Sequence, residues 1–382
     1  MRWVLIVLLC IPAMTTWAAV GKDFDRHEDI DDADIERRSF EDLQRKAAAY
    51  RVERSHVSPS AADEAGARHH LERAQLLFEA EDKIWHLWRS CRTAEKGFKK
   101  YPYTSLTGEL LHQAMIGYIA RRKLNDVEEK LIMLWFYLPD YPRMGQAMEQ
   151  ALGAAEGRQR FATSINLDAE DPDDVIDIQG KSSLEDVNKV FRFLSLHGDR
   201  ETVAPRAELG LARSLLLSGG RDIYAARRSY ERFLESYPTH ELTFPALTEH
   251  ALSYLVGYRG DDYDNGALVY AAAIIDQAEL ETRGDEAKAR TVQAYRKRIR
   301  AWQQDRDLRI ARWYRGRSTI ALQWLKMPPG LISWQDGARY YYQAVIARDS
   351  GSAQARAAER ELKDIPATPP RAIIPSTTPG AP

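Results

Sequence analysis

The sequence predicts an all-α protein built as a solenoid of stacked helical hairpins, and three observations carry that prediction. The stretch from Gly210 to His250 holds two amphipathic helical patterns, separated by Gly219-Gly220 and closed by Tyr237-Pro238. In the second of them Ala226, Tyr230, Phe233 and Leu234 stand at offsets of 0, 4, 7 and 8. That spacing gathers them on one face and leaves Arg227, Arg228, Glu231 and Arg232 for solvent. The Tyr-Pro stop also recurs, with Tyr101-Pro102 and Tyr141-Pro142 lying 40 residues apart, and proline does not continue a helix. Finally, no segment alternates convincingly at the period of two that a half-buried strand would leave. A single hairpin cannot bury its apolar face alone, so these units require neighbours.

The chain has 382 residues, 44% hydrophobic and 29% charged, which is enough apolar material for an ordinary soluble core. Met1-Arg2, the apolar run Trp3 to Leu9, Ile11-Pro12 and Thr16-Trp17-Ala18-Ala19 read as a secretory signal peptide over residues 1–18. The run is too short and too interrupted by proline to span about 30 Å of hydrocarbon. The expectation is therefore an exported protein, periplasmic or associated with the outer membrane, cut after Ala18 or Ala19. Loss of Arg2 from the 54 basic residues leaves 53 against 56 acidic, a formal charge of −3. That balance predicts no nucleic-acid partner and no broad membrane attraction. Cys10 leaves with the signal, so Cys91 stands alone without an internal disulfide. Val7-Leu8-Leu9 lacks the small residue that precedes a lipidated cysteine, so Cys10 is not expected to carry a lipid.

Residues 19–75 read as a polar, partly disordered leader. His27 to Glu36, HEDIDDADIE, concentrates carboxylates but lacks the alternating ligands and glycine of a calcium loop. His69 and His70 are adjacent, so on a helix they diverge by about 100° and do not chelate one metal.

The array occupies residues 76–365 and holds about six hairpin units, some irregular. Cys91 to Tyr103 closes one helix, and Leu106 to Ile119 supplies the next, with Leu110, Leu111, Ala114, Met115 and Tyr118 on one face. Leu131 to Leu138 is apolar all round, which predicts burial on several sides. An acidic loop, Asp168 to Gly180, interrupts the array. Val187, Phe191 and Leu194 repeat the offsets of four and seven in the next unit, and the Gly210 to His250 hairpin follows. Gly266, Tyr270 and Ala273 are assigned to the same positions in a further unit, and Ala338, Tyr342 and Val345 in the last, which closes through Ala353 to Leu362. Met327-Pro328-Pro329-Gly330 begins an insertion, and residues 366–382 form a proline-rich tail that is expected to be disordered.

The order small, aromatic, bulky and proline at Ala226, Tyr230, Phe233 and Pro238 resembles the second helix of a tetratricopeptide (TPR) repeat. The repeat core is accordingly read as Ala226, Tyr230, Phe233, Leu234 and Pro238. Joined to the signal, to GDDYDNGALVYAAAIIDQAE and to DRDLRIARWYRGR, the pattern resembles BamD, the TPR subunit of the outer-membrane β-barrel assembly machinery, over roughly Phe78 to Leu362. It resembles, less specifically, the periplasmic TPR protein associated with the Tol system. The resemblance implies a non-catalytic envelope scaffold with a β-barrel assembly component among its partners. Ser318 to Gly337 is an insertion relative to that family pattern.

No Gly-rich phosphate loop, G-x-S-x-G elbow, HExxH or paired CxxC occurs. No cofactor or metal is expected, and no catalytic residue is assigned. Cys91 has Arg89 and Arg92 beside it, which could lower its pKa, but a lone cysteine of this kind is more often a small core hydrophobe. A cell-wall hydrolase on a helical solenoid is the enzyme alternative, yet the glutamates sit in charged surroundings rather than in an apolar cleft. Binding remains the leading class. From Lys288 to Arg317 there are eleven basic residues against Asp305 and Asp307, interleaved with Tyr295, Trp302, Trp313 and Tyr314. The run reads either as the solvated exterior of a long helix or as a docking face for an acidic partner. Arg309, Arg312, Arg315 and Tyr314 are the residues on which the docking reading rests.

Overall fold

Helices stack on helices because each carries an apolar stripe that only a neighbour can cover. The computed structural model describes residues 32–80, 84–160, 163–165, 176–178, 184–219, 222–256, 258, 266–323 and 334–365. Fourteen helices lie among them, beginning with α1 (Asp32–His56), α2 (Ala61–Glu79), α3 (Ile84–Lys100), α4 (Thr107–Ala120) and α5 (Leu124–Tyr137). Then come α6 (Met144–Arg160), α7 (Leu184–His197), α8 (Val203–Ser218), α9 (Asp222–Ser236) and α10 (Thr243–Val256). The last are α11 (Gly266–Leu280), α12 (Glu286–Gln323), α13 (Trp334–Arg348) and α14 (Ala353–Lys363). Most packing is between helices one or two apart in the chain, as expected of an all-α solenoid of helical hairpins. One addition to the expected fold is a short antiparallel strand pair between α6 and α7, β1 (Thr163–Ile165) with β2 (Ile176–Ile178), where Ser164 faces Asp177.

The core runs in three clusters. The first extends from Tyr50 on α1 to Leu211 on α8, the second from Leu209 on α8 to Trp302 on α12, and the third joins Leu308 and Ala311 to α13 and α14. Leu215 packs against both the first and the second. The 38-residue α12 serves the second cluster with its first half and the third with its second half.

Ala226, Tyr230 and Phe233 are fully buried, and Leu234 is half-buried. Pro238 is exposed in the turn after α9, so it ends the helix and does not belong to the repeat core. Val187, Phe191 and Leu194 on α7, and Ala338, Tyr342 and Val345 on α13, are buried as their spacing requires. The five residues assigned to one face of α4 are buried too, and α5 buries Leu124, Val127, Leu131 and Leu134 while Ile132, Met133, Trp135, Phe136 and Tyr137 are partly covered.

Two assignments need correction. On α11 the buried residues are Leu268, Ala271, Ile275 and Ala278, whereas Tyr270 and Ala273 are exposed. That helix is apolar almost throughout, so the small-aromatic spacing fits more than one face and packing against α10 and α12 selects among them. The boundary of the leader at residue 75 also moves. Residues 32–56 and 61–79 are helical, Ala47, Tyr50, Ala67 and Ala74 are buried, and α1 packs against α5. Tyr50 donates its hydroxyl to the carbonyl of Pro102, and its ring lies 5.0 Å from that of Tyr137. Ser60 caps α2 in a reciprocal capping box with Asp63. The polar composition had concealed a face made largely of alanine. The signal segment, the first part of the acidic cluster, the insertion start and the proline-rich tail lie outside the described residues.

Close helix contact makes one glycine a sharp test. A Cβ on Gly210 would stand 2.6 Å from the ring of Phe191. Gly→Ala inside a helix ordinarily gains up to about 1 kcal/mol. Gly210→Ala is expected instead to cost about 1–3 kcal/mol through overpacking against a fully buried ring. Urea denaturation checks the sign.

Candidate functional site

The basic run falls on α12, and the structure shows where each charge goes. Arg312 donates Nε and Nη2 to the carboxylate of Glu361 on α14, with Nη2 2.7 Å from Oε1. Arg315 lies 3.8 Å from the same carboxylate and 3.4 Å from Asp364. Tyr314 is half-buried among aromatic rings, stacked on Tyr341 at 5.8 Å and 5.9 Å from Trp334. Arg309 is exposed and has interactions of its own. Trp313 is half exposed, with Arg317 over its ring. Of the four residues on which docking was to rest, three are therefore held by α13 and α14. The correction has a simple cause: carboxylates 49 residues further along the chain neutralise Arg312 and Arg315.

The same clip occurs in the hairpin around residue 230. Arg213 on α8 donates Nε and Nη2 to Glu249 on α10, and Tyr230 on α9 donates its hydroxyl to that carboxylate at 3.1 Å. Tyr342 on α13 likewise donates to Glu361 at 2.7 Å. In both cases the tyrosine and the glutamate are 19 residues apart. Leu209 and Ala212 stand before Arg213 as Leu308 and Ala311 stand before Arg312, and all four are buried. The second half of α12 with α13 and α14 thus repeats the unit formed by α8, α9 and α10. A related arrangement near the start of the array uses lysine: Tyr118 donates to Glu95 at 2.8 Å, and buried Lys130 lies 3.1 Å from it.

The clip lowers the pKa of Glu361 through the hydrogen bonds from Arg312, despite opposing burial. Arg312→Glu sets two carboxylates against each other beside the Glu361 oxygen that accepts from Tyr342. With the Arg312 side chain 54% exposed, solvent screens much of this. A loss of about 1 kcal/mol is expected, more than an arginine with only a local partner one turn away would show. Thermal melts of Arg312→Glu against Arg290→Glu check it, since among the described residues Arg290 meets only Glu286 one turn earlier, its carbonyl at 3.4 Å and its carboxylate at 3.9 Å.

Lys288, Arg298 and Arg317 on α12 lie over the rings of Phe244, Trp302 and Trp313. Lys297 and Arg300 are exposed, and among the described residues neither makes a hydrogen bond or an ion pair. Both line a cleft of about 460 Å³ between α12 and the turn joining α13 to α14. Arg296 lines it too, but its guanidinium is taken by Asp276 and Glu279 on α11 at 2.5 and 2.6 Å. Arg298 lies over Trp302 at 4.7 Å. The i, i+3 spacing of Lys297 and Arg300 was visible in the sequence, but nothing there separated it from its basic neighbours.

Other titratable groups fall elsewhere. Burial pushes the Cys91 thiol up to about 11, against the lowering its arginine neighbours suggested. It sits in the middle of α3, with its sulfur against Gly117. Burial also raises the carboxyls of Asp126 and Glu128 on α5. Neither lines the Lys297 cleft, nor a second cleft beside Arg51 and Arg54. Among the described residues no group of three or more His, Cys, Asp or Glu could hold a metal ion, and no helix is long and apolar enough to cross a membrane. No family model matches the chain, and no curated protein matches its sequence.

Proposed function

We propose that the chain is a non-catalytic scaffold of the cell envelope that holds partner proteins on a solenoid of TPR-like hairpins. The observation that carries this reading is the repeated Arg-Glu-Tyr clip, which ties three helices together in each of two units, while Lys297 and Arg300 stand on a cleft without a carboxylate partner among the described residues. Solenoids of this kind present extended surfaces to protein partners. Export rests on the pattern of residues 1–19, and a BamD-like part in outer-membrane protein assembly rests on the resemblance of the repeat and ARWYRGR stretches. A Tol-type periplasmic coordinator is the neighbouring reading within the same binding class.

Photo-crosslinking of the full chain in intact envelopes tests the proposal. Capture of a β-barrel assembly component is the expected result, and capture of Tol components favours the neighbouring reading. Release of muropeptides from purified cell wall by the full chain overturns both in favour of a hydrolase.

A further inference from the structure

We infer that the cleft between α12 and the α13–α14 turn is a docking site for an acidic peptide segment of a partner protein, with Lys297 and Arg300 as its recognition charges. This rests on the scaffold reading and names the place and chemistry of one contact. Gln293, Lys297, Arg300 and Gln304 follow one another along one face of α12, and Asp349 and Ser352 stand on the opposite wall. That wall is firmly built. Gln304, almost fully buried, donates its side-chain amide to the carbonyls of Val345 and Asp349 and to the hydroxyl of Ser352 at 3.0–3.2 Å. The cleft is therefore held by hydrogen bonds across it rather than by the ligand.

Charge complementarity identifies the occupant. Asp276 and Glu279 neutralise Arg296, while Glu361 and Asp364 hold Arg312 and Arg315. Lys297 and Arg300 have no such carboxylate among the described residues, and they are three apart and so neighbours on the helix surface. Asp349 is the one acid among the described residues that line the cleft, and its Oδ1 accepts the amide of Gly351 at 3.0 Å. Two adjacent cations, an uncharged amide at Gln293 and a recess of about 460 Å³ fit a short stretch of main chain bearing carboxylates. A nucleic acid is disfavoured because Tyr295 and Trp302, the aromatic rings interleaved with these cations, are buried in the core and offer no stacking surface.

The test is fluorescence anisotropy with the full chain and a fluorescein-labelled peptide of alternating Asp and Glu. Its Asn/Gln counterpart and single-stranded oligothymidine serve as unlabelled competitors. The expected result is that the acidic peptide binds and the Asn/Gln peptide does not compete. Lys297→Glu with Arg300→Glu should weaken binding about tenfold or more, and Arg290→Glu by less than about twofold. Lys297→Ala with Arg300→Ala should weaken it by an intermediate factor, and this pair decides the matter if circular dichroism shows the reversal misfolds. Absence of acidic-peptide binding overturns the proposal, as does equal weakening by Arg290→Glu. Displacement by oligothymidine below the concentration needed for unlabelled acidic peptide also overturns it. If the cleft variants still crosslink to the envelope partner as the wild type does, this site falls while the scaffold reading stands.

Discussion

Phe233→Ala is expected to lower the stability of the protein by about 3–5 kcal/mol, the range for removing a buried aromatic ring. Phe233 has no exposed surface and sits in the second core cluster with Ala226 and Tyr230. Its ring lies 5.3 Å from that of Tyr237 and 6.5 Å from that of His240. Helix α9 packs against α8 on one side and α10 on the other. Truncation therefore opens a cavity where three helices meet, and the clip between Tyr230 and Glu249 restrains those helices from collapsing into it. Arg228→Ala, exposed on the opposite face, should change stability by less than about 0.5 kcal/mol. Urea denaturation followed by circular dichroism measures both. Equal midpoints for the two variants would mean that α9 does not bury this face.

Acidification is expected to destabilise the fold through His250 by about 3 kcal/mol between pH 6.5 and 4. His250 is buried on α10, and among the described residues neither ring nitrogen has a hydrogen-bond partner. Burial, with the Arg227 charge adding to it, lowers its pKa from 6.5 to about 4. Tyr230 and Tyr254 cover its ring at 5.9 and 5.5 Å. Glu231, 3.9 Å from Nε2, would favour the charged form, but it is half exposed and does not offset the burial. Since the folded pKa is the lower one, the unfolded chain takes up the proton first as pH falls. Stability is therefore full above pH 6.5, declines toward pH 4, and levels off below it. At 1.36 kcal/mol per pH unit the interval gives the stated magnitude. His112 and His197 are shifted down by burial as well, so the quantity to read is the difference between wild type and His250→Phe. A flat difference across that interval would refute the assignment to His250.

Amphipathic helices with one apolar face were legible from spacing alone. Val187, Phe191 and Leu194, then Ala226, Tyr230 and Phe233, then Ala338, Tyr342 and Val345 all enter the core. Spacing failed on α11, where an almost wholly apolar sequence offers several faces of similar quality. It failed differently on α1 and α2, whose buried residues are mainly alanines set among charges. Composition counts such a segment as polar although its inner stripe is sufficient for close packing.

The candidate site divides in the same way. That residues 288–317 form a basic helix interleaved with aromatic residues follows from the sequence, because charge content and helical period are local properties of consecutive residues. Which of its cations stays unpaired was a tertiary matter. Arg296 meets carboxylates 17 and 20 residues earlier, and Arg312 and Arg315 meet others 49 residues later, while Lys297 and Arg300 face a cleft. The helical class and the apolar faces of most units were thus determined by the sequence itself, since backbone period and hydrophobic spacing act within one or two turns. The unpaired charges, the register of α11 and the burial of α1 were decided only by the folded chain, because Coulomb attraction and packing depend on distances in space that distant residues create.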